Sequence, residues 1–196
     1  MEKLFVAAAL FALMLWIWSE YFRAIPDLEQ AGVLKNFQVV STDSISGQFV
    51  VLDKRYYSAG QRFLHPAAPT VVGGFQDLAY VSNIDLLLSS GSQSRDALKQ
   101  LLEWSQQKRC FTVQNSKMTA TQFEQRKAEL QNVSVIAASK QVADQIRRVK
   151  TGQRIQIQGE WVEVNSTQTG RPYSTVDFQS QNPCGILKIN VISTLN

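Results

Sequence analysis

Residues Arg154 to Val164 read RIQIQGEWVEV, and this run decides the architecture. Ile155, Ile157, Trp161, Val162 and Val164 are set among polar residues with mostly two-residue spacing. That alternation belongs to a strand with one face buried. Gly159 interrupts the run, which predicts a bulge or a sharp bend. Downstream, Thr169-Gly170 is a hairpin turn, and Tyr173 to Phe178 and Ile186 to Ile192 continue the meander. Upstream, Phe37 to Tyr57 alternates as strands, with Ser46-Gly47 as a turn between them. Short strands with a glycine kink fit an OB-like small barrel, and a flat sheet packed on helices is the alternative.

Three helical segments lie between the two β regions. Ser94 to about Lys108 has Ser94 as cap, Asp96 in its first turn and Ala97, Leu98, Leu101 and Leu102 on one face. Thr121 to Glu124 has the form of a capping box opening a helix toward Leu130. Ser139 can cap a third helix whose inward face is Val142, Ile146 and Val149, with Gly152 ending it. The expected class is α+β: a membrane helix, then one domain of short antiparallel strands, an OB-like barrel or meander, with about three helices.

The membrane helix is read from Leu4 to Trp18, LFVAAALFALMLWIW, which has no polar side chain. As a helix this run is about 22 Å long, against a bilayer core of about 30 Å. Lys3 snorkelling at one end and Trp16, Trp18, Tyr21 and Phe22 at the other would let it span a thin membrane. No small-x-small cleavage site follows, so the segment reads as a retained signal anchor rather than a cleaved leader. Residues 1–24 are then the anchor and residues 25–196 one soluble domain. Lys3 on one side and Arg23 and Lys35 on the other hardly decide orientation. Signal-anchor topology places the domain outside the cytoplasm.

Of the 196 residues, 44% are hydrophobic and 18% charged, a composition that supports a packed core rather than disorder. The formal net charge is +4, and the basic excess lies after Ser92. Arg147, Arg148, Lys150, Arg154 and Arg171, with Trp161 and Tyr173, have the chemistry to bind an anionic polymer or a lipid surface. The competing assignment makes the cations a solvated helix face and Trp161 a core residue. Cys110 and Cys184 are the two cysteines, without a Cys-x-x-Cys. They could pair in an oxidising compartment, or remain buried thiols in a reducing one.

The residues offer no catalytic constellation. His65 is the single histidine, so a histidine metal pair is excluded. No phosphate-binding glycine loop or nucleophile elbow occurs. Asp77 with Asp85, and Glu160 with Glu163, lack a spacing that sets a geometry. The expectation is a non-enzymatic chain with no catalytic, cofactor or metal residue.

Several segments stand in a suggestive order: Asp53-Lys54-Arg55-Tyr56-Tyr57, Gln76-Asp77-Leu78-Ala79, Ser92-Gln93-Ser94-Arg95, Val149 to Gly159 (VKTGQRIQIQG), and Ser174-Thr175 to Cys184. Over residues 50–192 this pattern resembles an uncharacterised bacterial family of small membrane-anchored proteins with a similar strand pair and a late cysteine. The resemblance implies a single-pass protein of the bacterial inner membrane with a periplasmic domain, and brings no activity. The expected function is an interaction or assembly module with protein partners in an envelope complex, attached to the membrane through Leu4 to Trp18. The alternative is a basic OB-like module for an anionic polymer or lipid surface. Nucleic acid is not an expected partner, because little of it reaches the periplasm.

Overall fold

A computed structural model of the chain describes residues 2–21, 25–28, 37–57, 81–107, 109–167 and 184–195. Its elements run α1 (Glu2–Tyr21), β1 (Phe37–Tyr56), β2 (Ile84–Ser89), α2 (Arg95–Lys99), β3 (Leu102–Gln107) and β4 (Cys110–Asn115). They continue with α3 (Ala120–Ala128), β5 (Leu130–Ala137), α4 (Lys140–Arg148), β6 (Arg154–Ser166) and β7 (Cys184–Leu195).

Five strands close into a barrel in the order β1-β2-β5-β7-β6, with β6 returning to β1. Closure depends on the 20-residue β1. Its first part, Phe37 to Val50, pairs with β6, and its last part, Val50 to Tyr56, pairs with β2. Register shifts at Ser41/Asp43 and Val51/Asp53 supply the bends that a strand shared by two neighbours needs. β6 shifts register against β7 between Gln158 and Gly159, where the sequence places its bend. A Cβ at Gly159 would fall 2.5 Å from the Lys188 carbonyl oxygen, so the close approach requires glycine.

Alternation separates two faces along each strand. Phe49, Val51, Ile84, Leu86, Leu88, Val133, Val135, Ile155, Ile157, Leu187 and Ile189 fill one continuous core within the barrel. Their neighbours Val50, Leu52 and Leu87 face outward and join Leu98, Leu102, Phe111 and Val113 in a second cluster. This outer layer consists of α2, the β3–β4 hairpin and α3, all inserted between β2 and β5. A third cluster contains Phe37, Val81, Ile136, Val162, Val164 and Ile186. β1 and β2 are therefore apolar on both sides where the outer layer covers them.

Helix α4 joins β5 to β6 and buries Val142, Ala143 and Ile146. Ser139 caps its N-terminus, accepting from the Val142 N–H at 3.4 Å. At its C-terminus the Lys54 ammonium donates to the carbonyls of Ile146, Arg147 and Val149 at 2.9, 3.0 and 2.8 Å. A cation there satisfies orphan carbonyls and complements the helix dipole, fixing α4 to β1.

The expected α+β class, a membrane helix followed by short antiparallel strands in an OB-like barrel or meander, is corrected. The chain is strand-rich, and β1, β6 and β7 are 20, 13 and 12 residues long. β5 and β7 pair in parallel, so the strands are not all antiparallel and do not form a meander. Ser46-Gly47 does not turn, because both residues keep their pairing to Gln158 and Ile157 in β6. The helix expected over Ser94 to Lys108 ends at Lys99, and Leu102 to Gln107 forms a strand paired with β4. Leu98 and Leu102 share the outer cluster as a helix would place them, yet they reach it from a helix and a strand. The capping box is Thr119–Gln122, two residues before the one expected.

The membrane-helix expectation is also overturned: among the described residues, no helix is long and apolar enough to cross a membrane. Glu2 and Lys3 before the apolar run and Ser19 and Glu20 after it limit that run to Leu4–Trp18. Its length of about 22 Å falls short of a core of about 30 Å. The expected turn at Thr169-Gly170 and strand at Tyr173 to Phe178 lie outside the described residues.

Gly159→Ala should destabilise the barrel by about 1–3 kcal/mol, since Cβ would meet backbone rather than a flexible side chain. Urea unfolding followed by tryptophan fluorescence measures this, and an unchanged midpoint would remove the close-approach explanation.

Candidate functional site

The most concentrated polar chemistry lies between the barrel wall and the β3–β4 hairpin. β2 alternates Ile84, Leu86 and Leu88 inward, which turns Asp85 outward under the hairpin with no side-chain exposure. Arg109 lies in the two-residue connection between β3 and β4, where strand twist calls for positive φ. Its φ is 64°, an uncommon conformation for a residue with a Cβ. The guanidinium is buried and grips Asp85 by two nitrogens, Nη2 to Oδ1 at 2.7 Å and Nε to Oδ2 at 3.3 Å.

Other donors complete the carboxylate's shell. Ser134 Oγ, directly across on β5, donates to Oδ1 at 2.7 Å. Gln106 Nε2 donates to Oδ2 at 3.1 Å, and the Tyr57 hydroxyl also bonds Asp85. Arg109 Nη2 donates to Ser82 Oγ at 3.3 Å, and its guanidinium lies 4.7 Å from the Tyr57 ring centroid. Arg109 Nη1 is buried with no hydrogen-bond partner among the described residues. Burial holds the Asp85 pKa above the ordinary carboxylate value, although Arg109 and the hydrogen bonds pull it down. Burial, then the Asp85 charge, raises the Tyr57 pKa to about 12, so its hydroxyl stays protonated. A carboxylate whose two oxygens already accept this many donors is a poor general base. The arrangement holds the hairpin to the barrel.

A covalent tie adjoins this pair. Cys110, next to Arg109, forms a disulfide with Cys184, the first residue of β7, with a Cα–Cα distance of 5.8 Å. Asn132 of β5 donates to the Phe111 carbonyl at 2.9 Å and contacts Cys110 Sγ at 3.3 Å. The two cysteines are 74 residues apart in sequence. Closing a loop of that order stabilises the folded chain by about 4 kcal/mol in the chain-entropy account.

The described basic candidates are spread over α4 and β6. Arg147 pairs with Asp144 at 3.3 Å. Arg148 and Lys150 are exposed at the end of α4, and the exposed Arg154 donates to the Ser92 carbonyl at 3.2 Å. Trp161 is half-buried, packs against the barrel core and covers Gly185, where a Cβ would fall 2.4 Å from the indole. It lies seven residues along β6 from Arg154, a distance of about 23 Å. Arg171 and Tyr173, like His65 and Asp77, lie outside the described residues.

A second polar network occupies the outer face of β1, β6 and β7. Lys188 Nζ is 2.7 Å from Glu160, Asn190 donates to Glu160 at 2.9 Å, and Ser41 donates to it as well. These hydrogen bonds, Lys188 first, lower the Glu160 pKa from 4.5 to about 2. Among the described residues, no group of three or more His, Cys, Asp or Glu could hold a metal ion.

The sequence offered one unused sign of the Asp85–Arg109 pair: a lone carboxylate within the apolar run Ile84-Asp85-Leu86-Leu87-Leu88. A buried charge calls for a partner. Nothing in the sequence pointed to Arg109, which looked like the basic end of a helix. In comparisons with known proteins, no family model, no curated protein and no solved structure matches the chain.

Arg109→Met should cost about 3–5 kcal/mol, because Asp85 would remain buried and unpaired. Adding Asp85→Leu should recover most of that loss in denaturant unfolding; a double variant as unstable as the single would show that the pair is not the cause. Folding lowers the Glu160 pKa, so its stabilisation is complete above pH 4.5 and fades as pH falls toward about 2. Thermal unfolding of Glu160→Gln should therefore fall less steeply than wild type across that window, and parallel acid limbs would remove Glu160 as a contributor.

Proposed function

We propose that this chain is a non-enzymatic interaction module attached to a membrane, with its barrel in an oxidising compartment, the periplasm of a bacterial envelope. One observation carries the proposal: the apolar side chains from Leu4 to Ile17 are exposed on every face of α1. Leu4 is 78%, Phe11 65%, Met14 69% and Trp18 66% exposed. An apolar surface of that extent marks a site of association. A protein groove would cover one face of a helix, whereas α1 is apolar on every face and calls for an apolar medium around it. Lipid supplies that medium. The proposal concerns attachment and assigns no crossing to α1.

The disulfide between Cys110 and Cys184 supports an oxidising compartment. The barrel interior is filled by its own side chains, which favours partners met on the outer surface. The saturated Asp85 carboxylate supports a role without catalysis. The surface partners in this proposal are other proteins of an envelope complex.

Vesicle flotation tests the attachment. Full-length oxidised protein should float with phosphatidylcholine vesicles, and Leu10→Glu/Met14→Glu should lower the bound fraction at least tenfold, since charges in an apolar helix oppose burial in lipid. Wild type left at the bottom of the gradient, or a variant floating equally, would reject it. In cells, Cys110 and Cys184 should resist alkylation until reduced; two freely reacting thiols would reject the compartment. Gentle extraction should release a stoichiometric complex, and a clean monomer would reject the assembly role.

A further inference from the structure

We infer that the outward face of α4 rests on anionic lipid headgroups, an inference that depends on the membrane attachment proposed above. The chain leaving α1 reaches the barrel at Asp27, which forms a parallel bridge with Ala137, and the Leu28 N–H donates to the Ala137 carbonyl at 3.1 Å. Ala137 ends β5, and Ser139, two residues on, caps α4. Ile25 is already buried in the barrel core. Tyr21, the last residue of α1, precedes Ile25 by four residues, which reach at most about 14 Å. The N-terminal end of α4 is thus the part of the barrel tied to α1.

The exposed face of α4 is basic. α4 turns Val142, Ala143 and Ile146 inward and presents Lys140, Gln141, Asp144, Gln145 and Arg148 to a shallow open depression. Lys150 follows, exposed. Asp144 is the one carboxylate on this segment, and Arg147 pairs with it. Lys140, Arg148 and Lys150 have no ion pair among the described residues. α4 is about 13 Å long, so its cations remain close to the tethered edge. Exposed cations held beside lipid match a negatively charged leaflet, and each strengthens partitioning about fivefold. Three together give about a hundredfold. The apolar helix and the basic face are two weak attachments that act together.

Flotation of the full-length oxidised protein, now with two lipid compositions, is the test. Phosphatidylcholine vesicles containing phosphatidylglycerol should bind it up to about a hundredfold better than phosphatidylcholine alone at low ionic strength. The gain should vanish near 1 M salt, where screening acts within about 3 Å. Lys140→Gln/Arg148→Gln/Lys150→Gln should lose the gain and keep the binding to neutral vesicles. Lys99→Gln/Lys117→Gln, which removes charge from the outer layer, should retain the gain. Equal binding of wild type to both vesicle types overturns the inference and leaves the attachment standing. A gain that survives the triple variant, or falls equally in the control, also overturns it. No binding to neutral vesicles overturns the attachment and this inference with it. Unchanged thermal unfolding of the triple variant confirms that its fold is intact.

Discussion

Barrel closure depends on β1 having two neighbours. A five-stranded sheet loses its edges only if every strand pairs on both sides, and β1 does so by handing over from β6 to β2 at Val50. The handover sets the rest. It requires the length of β1 and the register shifts along it. It makes Phe49 and Val51 interior and Val50 and Leu52 exterior, so both faces need cover. The insertion between β2 and β5 provides the outer cover.

Covering a barrel wall with a two-stranded hairpin creates a polar difficulty, because such a hairpin is marginal by itself. Here it is held by apolar contact, by the Arg109–Asp85 pair and by the neighbouring disulfide. Buried ion pairs seldom add net stability, but a half-pair is costly. The pair therefore penalises any other placement of the hairpin more than it rewards this one. Arg109 reaches Asp85 from a left-handed conformation, and the Cys110–Cys184 bond restrains the adjacent residue.

Local chemistry was the legible part of this chain. Ser139 could be recognised as a cap and Gly159 as a bend, because each acts through atoms a few residues away or through the absence of one. Partners across space were not legible. Ser46-Gly47 carries a turn signal, but pairing with Gln158 and Ile157 overrides it. Leu98 and Leu102 have helical spacing, but Leu102 to Gln107 gains more by pairing with β4. β2 and β5 have near-continuous burial, which removes the alternation by which strands are recognised. Among the described candidates, sequence nearness at α4 likewise does not carry along an extended strand to Trp161.

The shared strand also sets the order of assembly. Phe37 pairs with Ser166 and Val50 with Arg154, so the first strand must wait for the sixth. Contacts so distant along the chain make folding slow. Until β6 has been synthesised, the N-terminal part of β1 presents an unpaired edge open to other chains. α1 precedes β1 in the chain, so this apolar helix is made before that strand is complete. Under the attachment proposed above, a chain held in place through this interval would wait for its own partner strand away from its neighbours.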